Sequence, residues 1–227
     1  LPWAAARGVV PTALTAAEVE RTIEDFAVAS RTARAIGFDG VEIMASEGYL
    51  INQFQSPLTN LRDDEWGGDA ERRRRFAIEV VRAVRAAVPE LAVTIRLSGA
   101  DLMPGSSTDD EVDALVHDLL PLGLDGISVG IGWHESRTPT VQASVPHGAW
   151  LAYATRIAAV VRASPYPDVR VIASNRMTDL RDGEAVLADG LLDAVALARP
   201  FLADPALVDR ALAGRFALVN TCIGCNQ

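Results

Sequence analysis

The stretch DGISVGIGWHESR (125–137) decides the fold. Its first six residues form an apolar run without alternation, the pattern of a strand covered on both faces in a parallel sheet. A G-x-G opens at Gly130, but the sixth position of that pattern is Glu135 rather than Gly. That departure argues against a dinucleotide-binding, doubly wound fold. A buried strand therefore runs straight into a loop carrying Trp133, His134, Glu135, Ser136 and Arg137. Strand exits of this kind are where a (β/α)8 barrel builds its active site.

Four similar runs lie outside it: DGVEIMA (39–45), VTIRLS (93–98), VRVIAS (169–174) and DAVALA (193–198). Helical patterns separate them. Thr15 and Glu18 form a capping-box pair ahead of the stripe Val19, Ile23, Phe26 and Ala27. Thr108 and Glu111 repeat the device ahead of Val112, Leu115, Val116 and Leu119. In DPALVDRALAG, Asp204 is the expected cap, Pro205 the first helical residue and Gly214 the stop. ERRRRF (71–76) reads as the solvated face of a helix whose inner stripe is Phe76, Val80, Val81 and Val84. Strand–helix alternation means α/β. The expected architecture is a (β/α)8 TIM barrel represented by about five C-terminal strand–helix units, with three strands expected upstream of Leu1. No linker, internal sequence repeat or low-complexity segment marks a second domain.

The formal net charge of −9 over 227 residues argues against a nucleic-acid partner, which needs clustered basic surface. All basic residues are Arg. No apolar run reaches the roughly 20 residues of a spanning helix, and no signal peptide is expected, so the reading is a cytoplasmic protein without a membrane partner. The chain opens on Leu1 and stops two residues after Cys225, and it is expected to be cut at both ends. A partial barrel exposes sheet edges, which favours self-association and keeps a truncated, non-catalytic half-barrel as one alternative.

The strand exits carry the candidate chemistry. The first leads into SEGYLINQFQSPLTNLRDDEWGGD (46–69), too long and too apolar for a simple turn. Arg96 ends the second, Asn175 and Arg176 the fourth, and Arg199 the fifth. Each arginine alone could cap a helix or pair with a carboxylate; three at one mouth suit an anionic cofactor or phosphate. Tyr49 alone reads as a packed aromatic and His134 alone as a loop histidine. As a pair they offer a phenol that donates a proton and an imidazole that polarises it. CIGC (222–225) fits a redox pair, half a zinc site or half an iron–sulfur site, and either metal site needs more thiolates than Cys222 and Cys225.

Taken together, DGVEIMASEGYLINQFQSPLTNLRDDEWGG, GIGWHESRTPTVQASVP, ASNRM, ALARPFLADP and NTCIGCNQ closely resemble the bacterial 2,4-dienoyl-CoA reductases. These are flavin-dependent barrels of the Old Yellow Enzyme class of NADH:flavin oxidoreductases, and the similarity runs from about residue 9 to the C-terminus. The resemblance implies an oxidoreductase of fatty acid β-oxidation that reduces an unsaturated (2,4-dienoyl) acyl-CoA. Electrons would pass from NADPH through FAD and a [4Fe–4S] cluster to FMN in the barrel. It implies Tyr49 as proton donor and His134 as its assistant, with FMN contacts at Arg96, Arg176, Ala198 and Arg199. Substrate contacts fall on Leu58, His134, Glu135, Ser136 and Arg137, and cluster ligands on Cys222 and Cys225. Residues 1–215 would be a partial FMN-binding barrel and 216–227 the start of the iron–sulfur segment. Leu58 departs from the family's Arg at that position. The first strands, two further cluster cysteines and both nucleotide-binding domains are absent from this sequence. A related NADH:flavin oxidoreductase or an amine dehydrogenase is the alternative activity.

Overall fold

The five apolar runs pair in chain order into a single parallel sheet. A computed structural model describes residues 11–225. The first ten residues of the expected barrel unit, and Asn226 and Gln227 of the NTCIGCNQ motif, lie outside them. The strands are β1 (Gly40–Ala45), β2 (Ala92–Ala100), β3 (Gly126–Ile131), β4 (Arg170–Ala173) and β5 (Ala194–Val195), and their spatial order is β1-β2-β3-β4-β5. A doubly wound sheet reverses direction part-way; here every crossover advances the same way, as in a barrel. The described residues thus form consecutive strand–helix units of a (β/α)8 barrel.

Register shows that the runs, expected to be continuously apolar, alternate in β2 and β3, with one face of each strand carrying the apolar side chains. Val93, Ile95 and Leu97 of β2, Ile127, Val129 and Ile131 of β3, and Val171 and Ala173 of β4 join one buried cluster with helical side chains. Those helical residues come from α3 (Ala70–Ala87), α4 (Asp109–Leu119) and α5 (Leu151–Ala163), and include Phe76, Val80, Val84, Leu115, Leu119 and Ile157. The intervening strand positions point the other way. Thr94 pairs with Gly126, and Arg96 with Ser128, so the concave face is small and polar. DAVALA forms a shorter strand than expected. Only Ala194 and Val195 pair with β4, Ala196 adds one bond to the Ala173 carbonyl at 2.8 Å, and the chain then leaves the sheet.

The capping boxes form as read, at Thr15–Glu18 ahead of α1 (Ala16–Ala35) and at Thr108–Glu111 ahead of α4. Two expectations are corrected. ERRRRF is not simply a solvated face. Arg73 is buried, donates to the carbonyls of Gln55 at 2.9 Å and Gly68 at 3.1 Å, and pairs with Glu111 at 2.5 Å. Arg74 pairs with Asp118 at 2.8 Å, and Arg75 covers the Trp66 ring at 4.7 Å. The run braces α3 against α4 and the β1–α3 connection. In DPALVDRALAG, Pro205 does not begin the helix, which spans Leu207–Leu212 with Ala206 as its cap. Asp204 is buried and is used otherwise, accepting the N–H groups of Ala206 at 3.1 Å and Asn220 at 3.0 Å and the guanidinium of Arg210. Gly214, at φ +68°, follows the helix end as expected.

A repeated device lies at the opposite end of the sheet from these strand exits. Asp125, just before β3, accepts the Val93 N–H at 2.7 Å and the guanidinium of Arg85 from α3, which also holds the Leu91 carbonyl. Asp193, just before β5, accepts the Val171 N–H at 2.7 Å and the guanidinium of Arg162 from α5, which also holds the Val169 carbonyl. Each clamp joins a helix, the strand after it and the next strand. Burial pushes the Asp193 carboxyl up, but the Val171 N–H and the guanidinium groups of Arg170 and Arg162 outweigh it and hold the group below the usual carboxylate range. A depressed carboxylate contributes stability above its unfolded pKa and loses it as the pH falls through the folded value. Asp193→Asn should therefore cost about 1–3 kcal/mol near neutral pH. Thermal unfolding measured across the acid range should show that gap closing as the wild-type carboxyl protonates.

Candidate active site

A cavity of about 860 Å³ opens over the C-terminal ends of the strands. Its walls come from the strand exits: Glu47 after β1, Arg96 from β2, the loop after β3, Ser174–Arg176 after β4, and Ala196–Pro200 after β5. Four guanidinium groups, those of Arg96, Arg137, Arg176 and Arg199, line it, with Glu47 the one carboxylate among the described lining residues. Such a mouth favours an anionic ligand.

Arg96 organises it. Its guanidinium pairs with Glu47 at 2.7 Å and donates to the hydroxyls of Ser128 and Ser174, both at 3.0 Å, and to the Asn175 side-chain oxygen at 3.2 Å. One side chain thus spans groups from three neighbouring strand units. Glu47, Asn175 and Arg176 have φ of 55°, 64° and 57°. Non-glycine residues seldom adopt this left-handed backbone, and such strain clusters at functional sites. Gly130 leaves the space the pair requires, since a Cβ there would stand 2.5 Å from Glu47 Oε1.

Tyr49 and His134 meet at the rim. Tyr49 precedes the short helix α2 (Leu50–Gln55), and its hydroxyl lies 3.1 Å from His134 Nε2, with the rings edge to face at 5.4 Å. Both side chains are exposed. The long segment after β1 is ordered by buried polar bonds, including Asn60 to the carbonyls of Phe54 at 2.7 Å and Trp66 at 2.8 Å.

Of the residues expected in a site, Arg96, His134, Ser136, Arg137, Arg176, Ala198, Arg199 and Cys222 line this cavity. Tyr49 reaches it through His134. Glu135 and Leu58 are not among the lining residues; Leu58 lies instead beside Gly105 of the β2–α4 connection. The C-terminal segment folds back over the mouth, with the Gly224 carbonyl accepting the Ala143 N–H at 2.9 Å. Cys222 is half-buried and Cys225 exposed. Glu47, Ser128 and Ser174 carry no sequence signal of their own beyond an acidic residue two positions after the end of β1.

The model of the NADH:flavin oxidoreductase / NADH oxidase family matches residues 4–217. The chain belongs to that family. Among its relatives, a metal reductase of Desulforamulus reducens is 41% identical over 97% of this chain and 32% of the relative. An NADH oxidase of Thermoanaerobacter brockii is 34% identical over 96% of this chain and 33% of the relative. Among solved structures, a complex of 2-naphthoyl-CoA reductase with 2-naphthoyl-CoA superposes with a TM-score of 0.89 at 33% identity, covering 95% of this chain and 32% of that one. The chain spans about a third of the length of these relatives.

A flavin of this family fits the cavity: the volume lies within the usual range of about 300–1,000 Å³ for cofactor sites, and the guanidinium excess suits a flavin phosphate. A [4Fe–4S] cluster takes four thiolates. The described residues supply Cys222 and Cys225, and no group of three or more His, Cys, Asp or Glu among them converges. The described residues alone do not complete such a cluster. Gly130→Ala should push Glu47 away from Arg96, with an overpacking cost of about 1–3 kcal/mol. Flavin retained after dialysis, read by absorbance, should fall below wild type.

Proposed function

We propose that this chain is the FMN-holding part of an oxidoreductase that reduces the C=C bond of an unsaturated acyl-CoA, of the 2,4-dienoyl class. The observation that carries the reading is the 3.1 Å contact between Tyr49 and His134 at the edge of the arginine-lined cavity. FMN would be held by Arg96, Arg176, Ala198 and Arg199, and when bound it supplies the hydride.

The chain's own task is then the proton. An unsaturated thioester that gains a hydride develops negative charge towards its carbonyl, and the reaction is completed by a proton at the α carbon. The Tyr49 hydroxyl carries the proton this step requires and can serve as the general acid. In the productive tautomer His134 Nε2–H donates to the phenol oxygen. This leaves the hydroxyl proton free for substrate and stabilises the phenolate left behind. Ser136 and Arg137, on the same loop, would hold the polar and anionic parts of the thioester. NADPH and FAD would be the source of reducing equivalents, and Cys222 and Cys225 two of the four thiolates that a [4Fe–4S] cluster requires. Residues 1–215 would form the FMN unit and 216–227 the start of the cluster segment.

The test is NADPH-dependent reduction of a dienoyl-CoA by the full-length, flavin-loaded enzyme. Tyr49→Phe and His134→Ala should each slow it by about a hundredfold. Flavin-loaded enzyme that does not turn over any dienoyl-CoA would remove the substrate claim. Oxidation of an amine or of NADH, undiminished in His134→Ala, would favour the related oxidoreductase activities instead.

A further inference from the structure

Beneath the rim lies a buried polar chain that this mechanism has not used. Asp101, at the end of β2, is buried, and its carboxylate accepts from Asn52 Nδ2 at 3.1 Å and from the Ser106 hydroxyl. Ser106 in turn meets the Ser56 hydroxyl at 2.7 Å. Asn52, on α2, is also buried, and its side-chain oxygen accepts the Gly48 N–H at 2.9 Å. The Asp101 backbone carbonyl accepts the Trp133 N–H at 3.0 Å.

The two loops that meet at the phenol–imidazole contact are therefore tied to one residue. Gly48 immediately precedes Tyr49, and Trp133 immediately precedes His134. These two preceding residues also pack directly against each other: a Cβ on Gly48 would stand 3.1 Å from the Trp133 ring, and Gly48 itself has φ +81°. A hydrogen bond tolerates only a few tenths of an ångström of drift before it weakens. The separation of Tyr49 and His134 is consequently set by a closed loop of contacts, from Asp101 through Asn52 to Gly48, across to Trp133, and back to the Asp101 carbonyl.

We infer that Asp101 and Asn52 are positioning residues that hold the Tyr49 hydroxyl in register with His134. The inference deepens the proposed function and rests on it for the chemistry, although the geometric claim stands separately. The side chains do not reach the cavity; they act through the backbone of Gly48 and Trp133. Asn52→Ala deletes the link to Gly48. Asp101→Asn keeps it, because the amide oxygen still accepts from Asn52 while its NH2 donates to Ser106.

Two readouts test this in the full-length, flavin-loaded enzyme. The ring ¹⁵N signal of His134, recorded without substrate and assigned by its absence in His134→Ala, reports the bond to the phenol. Its shift in Tyr49→Phe marks complete loss of that bond. Asn52→Ala should move the signal most of the way to the Tyr49→Phe position and lower kcat for a dienoyl-CoA by about tenfold or more, with little change in KM, because misplacement costs rate rather than binding. Asp101→Asn should leave both values within about twofold of wild type, since its hydrogen bonds are retained. If Asn52→Ala does not fold, Ser106→Ala, which removes one donor to the carboxylate, should move both readouts in the same direction by less. A wild-type ¹⁵N signal in the folded Asn52→Ala enzyme, or in Ser106→Ala where that variant stands in, overturns the inference. Wild-type rates in Tyr49→Phe and His134→Ala would overturn the proposed function instead, leaving the ¹⁵N shift to decide the positioning role.

Discussion

The mouth of this barrel depends on Arg96. Its charge sits on the concave face of β2, where the side chain is 17% exposed, and a charge so shielded is costly unless fully compensated. Compensation comes from Glu47, Ser128, Ser174 and Asn175, delivered from three separate strand units. Moving any of these partners leaves a shielded guanidinium short of an acceptor. That penalty holds Glu47 in a left-handed backbone it would seldom adopt freely, while Asn175 is of a type that tolerates the same conformation.

The two ends of the sheet divide the work. At the N-terminal end, Asp125 and Asp193 join helix to strand to next strand through satisfied, charge-assisted bonds. Between the ends, the helix-facing positions of β2, β3 and β4 supply a continuous apolar core. At the C-terminal end the backbone is strained, the glycines are there to make room, and the side chains are polar. This separation lets one end keep the barrel folded while the other holds an unfavourable but useful arrangement.

Relatives with the names metal reductase and NADH oxidase, and a solved 2-naphthoyl-CoA reductase, share this scaffold at 33–41% identity. A common barrel with different reactions means that specificity lies in a few groups around the mouth. At this chain's mouth lie the Tyr49–His134 contact, residues of the loop from Trp133 to Arg137 and the C-terminal return carrying Cys222.

Sequence by itself determined what depends on neighbours along the chain. The apolar strands, the capping boxes at Thr15 and Thr108, and the rejection of a dinucleotide fingerprint at Glu135 all follow from patterns within a few residues. Even the convergence of Arg96, Arg176 and Arg199 was legible, because strand exits in a parallel barrel share one end. Tertiary structure alone decided what those side chains touch. Arg73 left the surface for Glu111, 38 positions away, Arg96 reached Asn175 across 79, and Asp101 found Asn52 across 49. No local preference encodes such pairs. They form because a buried charge or amide must find its partner wherever the curvature of the sheet brings one.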